Sequence, residues 1–147
     1  MTSAVNEPGC VLCRALEGKN GADRLLVHVA PLNFIVMNLY PYNAGHVMVA
    51  PRRHLGSLAE TTPEELAEMM GLARRLEEVF AKVYRPDGLN LGMNLGRSAG
   101  AGVADHIHLH VVPRWSGDTN FMTVLGGTRV IPEDPADASA RLRLHFT

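Results

Sequence analysis

Cysteine is scarce in this chain, and neither sign of charge is in surplus. Only two cysteines occur in 147 residues, at positions 10 and 13, too close together to staple a useful loop. In a protein of cytoplasmic type they read as metal ligands or as a redox pair. Fourteen Lys and Arg against fifteen Asp and Glu leave a net charge of −1, so no basic excess argues for a nucleic-acid backbone as partner. No apolar run approaches the ~20 residues of a membrane helix, which excludes a spanning segment. Residues 1–9 carry neither Lys nor Arg and no apolar core, so no signal peptide is expected. What remains is 46% hydrophobic and 20% charged, the composition of one soluble domain with a core of its own.

No repeat, linker or low-complexity block interrupts residues 1–130, which read as one domain. From Pro132 onward Pro, Asp and Ala dominate, and residues 131–147 read as a C-terminal tail whose order is left open. Residues 25–29 and 33–38 are apolar, β-rich runs separated by Ala30-Pro31-Leu32, which predicts two strands and a short turn. A turn over Tyr40-Pro41-Tyr42-Asn43-Ala44-Gly45 leads to a third strand over 46–50 that ends at Pro51. Residues 89–95 predict a fourth strand, 96–102 a glycine-rich loop and 105–112 a fifth. Residues 121–125 read as one more short strand, and 13–17 as a short helix ended by Gly18.

The long helix has clear local signals. Thr62 is a good N-cap, Pro63 suits the first helical position and Glu65 completes a capping box. Leu66, Met69, Ala73, Leu76, Phe80 and Val83 follow at spacings of three and four, the stripe of an amphipathic helix. Arg85-Pro86-Asp87-Gly88 ends it. Short turns between strands favour antiparallel neighbours, and one long helix must cover a face of that sheet. The expected class is α+β.

Seven histidines occur, and three alternate with aliphatic residues in His106-Ile107-His108-Leu109-His110-Val111-Val112. Strand geometry puts the imidazoles on one face, about 7 Å apart, and the aliphatic side chains toward the core. A lone strand histidine is usually just hydrogen-bonded or solvated, but three on one face have no packing purpose that Thr or Val would not serve better. A metal held by all three is one reading, although a linear row makes poor tetrahedral geometry. A phosphate site suits the row better, with one imidazole attacking and its neighbours binding oxygens. Cys10-x-x-Cys13 lacks the βαβ setting of a redox dithiol. As a zinc pair it needs two more ligands, and His54 and His106 are available. Gly96-Arg97-Ser98-Ala99-Gly100-Ala101-Gly102 empties into the histidine run. Its bare amides suit a phosphate, and an ordinary flexible connection reads equally well.

These residues resemble the histidine triad (HIT) family. His106-Ile-His-Leu-His-Val-Val looks like its signature, and Gly45-His46-Val47-Met48-Val49-Ala50-Pro51-Arg52-Arg53-His54 is similar to its Gly/Thr-His-φ-φ-φ-φ-Pro-x-x-His segment. Asn38 falls where the family places a ribose-binding Asn or Asp, and Asn94 matches the Asn that opens its phosphate loop. The resemblance implies a five-stranded antiparallel sheet with helices on it, one long and one short, usually in a homodimer. It implies nucleotidyl hydrolase or transferase chemistry on a nucleoside polyphosphate. His108 would be the nucleophile at the α-phosphorus, with His46 and His110 on phosphate oxygens. Asn94 and the amides of Gly100, Ala101 and Gly102 would line the phosphate loop. In zinc-bearing members the ligands correspond to Cys10, Cys13, His54 and His106.

A neutral imidazole is nucleophilic near pH 7, since its ordinary pKa is about 6.5. Attack by one ring nitrogen requires the other to carry its proton into an acceptor such as a backbone carbonyl. That step needs no metal, so a zinc ion at the quartet would be structural. The chain departs from common hydrolase branches, which carry Gly-Gln-Ser/Thr-Val before the triad. Here Gly100-Ala101-Gly102-Val103 lacks the Gln and the hydroxyl, and one extra residue precedes His106. The loop, with Pro113-Arg114-Trp115-Ser116-Gly117-Asp118-Thr119-Asn120-Phe121, looks more like bacterial diadenosine-tetraphosphate phosphorylase-like members. The small residues leave room for an incoming anion, with Arg97 and Arg114 as charges nearby, so the expectation leans to phosphate over water as acceptor. The competing class is a non-catalytic, zinc-stabilised nucleotide-binding or scaffold module.

Overall fold

A capping box starts the helix on which the fold is built. In the computed structural model, which describes residues 9–38, 44–100, 105–117 and 133–147, α2 spans Pro63–Val83. The Thr62 side chain accepts from the Glu65 amide, and the Glu65 carboxylate accepts from that of Thr62. The buried stripe includes Met69, Ala73, Leu76 and Phe80 as expected, and adds Leu72 and Val79. Leu66 and Val83 are only half-buried.

Five strands form one sheet in the order β1-β2-β3-β5-β4: β1 Leu26–Val29, β2 Asn33–Met37, β3 Val47–Pro51, β4 Gly88–Gly92 and β5 Leu109–Arg114. Every neighbouring pair is antiparallel, as short connections require. Both faces of β2 and β3 are buried. On one face Ile35, Met37, Val47, Val49, Leu109 and Val111 meet α2. On the other, Phe34, Val36, Met48 and Ala50 meet α1, Val11–Glu17. Helix α1 begins at its N-cap Cys10 and ends at Gly18, whose φ of 78° is the left-handed cap that glycine adopts most easily.

The fifth and fourth strands differ from expectation. The fifth strand does not begin at Asp105: the ladder starts at Leu109, and the Ile107 amide is instead held by the Leu55 carbonyl. The triplet therefore straddles a strand end, and the rings of His108 and His110 lean to 4.8 Å between centroids rather than standing a full strand repeat apart. At the C-terminus, where the sequence left the order of the tail open, a third helix, α3, covers Pro135–Arg143. Ala138 and Leu142, with Phe146 beyond the helix, join the core beneath α2. The Arg143 guanidinium donates to the Leu26 carbonyl and so covers the free edge of β1. The fourth strand is also shorter than expected, ending at Gly92. The expected strand over 121–125 and most of the turn over 40–45 lie outside the described residues. No helix among the described residues is long and apolar enough to cross a membrane.

Candidate functional site

Two clusters of side chains meet on the α1 face of the sheet, and His106 joins them, its ring in the first and its carbonyl against the second. The first is Cys10, Cys13, His54 and His106, all buried, with their ligand atoms within 4.8 Å of one another. Cys10 lies at the N-cap of α1 and Cys13 one turn later, so a single helical turn presents both sulfurs. His54 follows β3, where Arg53 anchors the segment by a paired contact of its Nε and guanidinium nitrogen with the Glu65 carboxylate, at 2.9 and 2.8 Å. That ion pair holds Glu65 below the ordinary carboxylate range, the Arg53 hydrogen bond being the largest cause. One glutamate thus caps α2 and fixes the approach to His54.

The donor set fits a metal ion. Nδ1 of His106 lies 3.3 Å from Cys10 Sγ and 3.5 Å from Cys13 Sγ, and Nδ1 of His54 lies 3.3 Å from Cys13 Sγ. Tetrahedral zinc, with bonds of about 2.3 Å to sulfur and 2.0–2.1 Å to nitrogen, separates such atoms by about 3.5 Å. Nε2–H of His106 donates to the Pro51 carbonyl at 2.8 Å, which leaves Nδ1 as a lone pair facing the sulfurs, the outer-shell arrangement typical of ligating histidines. Burial, the largest cause, pushes the His106 pKa down to about 4, so the ring is neutral, as a ligand must be. Sequence reasoning missed the Pro51 carbonyl. The Pro-x-x-His spacing marks that segment, but no residue type marks a main-chain oxygen.

The second cluster is His108, His110, His46 and Asn38. A carbonyl can only accept, so the 2.9 Å contact of His108 Nδ1 with the His106 carbonyl puts the proton on Nδ1. In the neutral ring Nε2 is then the lone-pair nitrogen. His110 stands opposite Met48 on β3 and Gly92 on β4. His46 enters from two residues before Met48, on the same face, and its Nε2 meets His110 Nδ1 at 2.9 Å. Asn38 Nδ2 meets His46 Nδ1 at 3.3 Å. Burial first, then the neighbouring His110 and His108, lowers His46 to about 4. His110 is lowered by burial and by His108. Both rings are therefore neutral near pH 7, and both are half-buried.

Gly45, just before His46, adopts a φ of 78°, and a Cβ there would sit 2.7 Å from the Tyr84 ring. Only glycine fits that close approach and that backbone. Beyond β4, Asn94 and Gly100 lie side by side, a Cβ on Gly100 falling 3.9 Å from the Asn94 amide nitrogen. Gly96 and Gly100 both have positive φ, at 83° and 93°. Ala101 and Gly102 lie outside the described residues, as does the side chain of Arg97. Arg114 sits on β5 and donates to the Asn90 side chain of β4 at 2.7 Å.

Comparisons with known proteins bear on the family and the fold. The HIT domain model matches residues 20–117. The AP-4-A phosphorylase of Mycobacterium tuberculosis is 50% identical over 109 residues, covering 74% of this chain but 56% of that protein, so the chain spans about half the length of this relative. A HIT-like protein of the same species is 30% identical over 133 residues, 90% of this chain and 89% of its own. Among solved structures, a zinc-bound histidine triad family protein from Mycobacterium smegmatis superposes with a TM-score of 0.73 at 29% identity, covering 93% of this chain and 92% of that one. With the triplet, the antiparallel sheet and the family model all in agreement, the chain belongs to the HIT domain family.

Proposed function

We propose that this chain is a nucleotidyl hydrolase or transferase that works at the α-phosphate of a nucleoside polyphosphate through a covalent nucleotidyl-histidine on His108. The observation that carries the reading is the Nδ1–H of His108 donating to the His106 carbonyl, which leaves Nε2 as the nucleophile beside His110 and His46. In the first step the Nε2 lone pair forms a bond to the α-phosphorus and the P–O bond to the remaining polyphosphate breaks. His110 donates to the departing or phosphoryl oxygens, with His46 behind it. In the second step an acceptor oxygen forms its bond to phosphorus, the P–N bond breaks and the lone pair returns to Nε2. Fixed donors around the developing charge and a held geometry supply the acceleration. Asn38 is the ribose contact, and Asn94 with the amides of Gly100, Ala101 and Gly102 forms the phosphate loop.

The acceptor is inorganic phosphate. The name of the phosphorylase relative supports this, as does the sequence before the triad, where Ala101 and Gly102 stand in place of larger polar residue types. The assay is diadenosine tetraphosphate with and without millimolar phosphate. ADP plus ATP formed only with phosphate supports phosphorolysis. AMP plus ATP at a rate indifferent to phosphate makes the chain a hydrolase, and binding without turnover makes it a non-catalytic module.

The quartet Cys10, Cys13, His54 and His106 is the site for one zinc ion, which when bound supplies a rigid cross-link between α1, the segment after β3 and the entry to β5. Two buried thiols outside any disulfide and committed to a metal suit the reducing cytoplasm. The working unit is a homodimer joined through β4. The β1 edge is covered by Arg143 and by the stack of His28 on Phe146, whereas among the described residues β4 is an open edge, with Leu91 45% exposed and Leu95 43% exposed just beyond it.

A further inference from the structure

We infer that Asn38 is a positioning residue that sets the direction of the protons in the His46–His110 pair, so that His110 presents an N–H to the site. The argument begins in the sheet. Met37 pairs with Val47, and the next residues continue the register, the Asn38 amide donating to the His46 carbonyl at 2.9 Å. Directly opposed residues of an antiparallel pair raise their side chains on the same face. Asn38 is thereby held against His46 by the backbone.

The polarity then propagates by elimination. An amide nitrogen only donates, and Asn38 Nδ2 is the atom that faces His46 Nδ1 at 3.3 Å. His46 Nδ1 is therefore the acceptor, and the proton of the neutral ring is on Nε2. That Nε2–H donates to His110 Nδ1 at 2.9 Å, so the proton of His110 is also on Nε2. The adjacent rings of His108 and His110, 4.8 Å apart, then have opposite characters: a lone pair on one and a donor on the other. With the relay reversed, both rings would offer lone pairs to an anionic phosphate, which repels it and leaves the departing oxygen without a proton. Asn38 acts through His46, whatever it also contributes to ribose. What the proton is for rests on the proposed function; where the proton sits does not.

The test is a long-range 1H–15N correlation spectrum of the whole protein as purified, labelled with 15N-histidine, at pH 7.5 without nucleotide. His46 and His110 are both expected as Nε2–H tautomers. In Asn38→Asp the carboxylate can only accept, so a proton should appear on His46 Nδ1, and turnover at saturating nucleotide should fall about 10²-fold. A wild-type His46 with its proton on Nδ1 overturns the inference, as does an unchanged His46 in a folded Asn38→Asp protein. Undiminished turnover with the proton moved overturns the role in turnover. Failure of the wild type to turn over any nucleotide would strike the proposed function and leave the tautomer result standing, so the two are separable.

Discussion

The ring of His106 faces Cys10 and Cys13, while its main-chain carbonyl accepts the Nδ1–H of His108 at 2.9 Å. One residue thus joins the metal-ligand group to the imidazole assigned as nucleophile. Strand alternation alone would send both rings to one face. Both stay on the α1 face, and the end of regular pairing at Leu109 leaves the His106 ring turned to the cysteines.

Replacing His108 with Ala removes the lone pair at Nε2 together with a buried ring, so a thermal melt of the variant is run beside the assay. Turnover should fall by on the order of 10³-fold or more, with nucleotide binding retained. Brief mixing of the wild type with substrate, followed by intact-mass measurement, should reveal a nucleotidyl adduct that the variant lacks. An adduct in His108→Ala would move the nucleophile elsewhere.

Elemental analysis of fresh protein should find one zinc per chain. Cys10→Ser should lose the metal and lower the melting temperature together, because binding is coupled to folding. Turnover should fall with them, since the residue whose carbonyl orients His108 then keeps only the Pro51 contact of its ring. Zinc-free protein that neither gains stability nor activity when zinc is added back would count against the site.

Acid should weaken the fold through His46. Burial and its neighbours hold this ring at about 4, against about 6.5 for an unfolded histidine. Between those values the unfolded chain binds more protons, so the contribution is complete above about pH 6.5 and is lost as pH falls toward 4. His110 is shifted in the same direction. Thermal melts at pH 7.5, 6 and 5 should show a smaller decline in His46→Gln than in the wild type. Parallel declines would place the acid sensitivity elsewhere.

Two glycine substitutions should have opposite signs. Gly45→Ala forces a Cβ to within 2.7 Å of Tyr84 at a φ of 78° and should cost more than about 1 kcal/mol. Gly71 lies inside α2 with no atom within 4 Å of a built Cβ, and Gly71→Ala should stabilise by about 0.5–1 kcal/mol. Denaturant unfolding measures both.

Leu142→Ala tests whether α3 belongs to the core. Leu142 is fully buried, and its truncation should cost about 2–5 kcal/mol. A loss below about 0.5 kcal/mol would mean that the helix is peripheral to the fold's stability.

Features whose cause is local were legible in the sequence. The capping box needs only Thr62 and Glu65 three residues apart, and the stripe of α2 follows from 3.6-residue periodicity. The spacing of Cys10 and Cys13 places both on one helical turn. The helix over 135–143 also carries a local signal in Asp134-Pro135, an N-cap and first-turn pair. Its apolar content is thin, however, and only burial of Ala138 and Leu142 against the sheet gives those few residues a reason to be helical. Tertiary structure decided what depended on distant chain segments. Alternation identified three imidazoles, but the Leu55 and Pro51 carbonyls drew His106 toward the cysteines. The pairing of β3 with β5 brought His46 to His110, 64 positions away. Hydrogen-bond direction, which determines where each proton sits, is a property of those contacts, because residue type leaves a neutral imidazole free to take either tautomer.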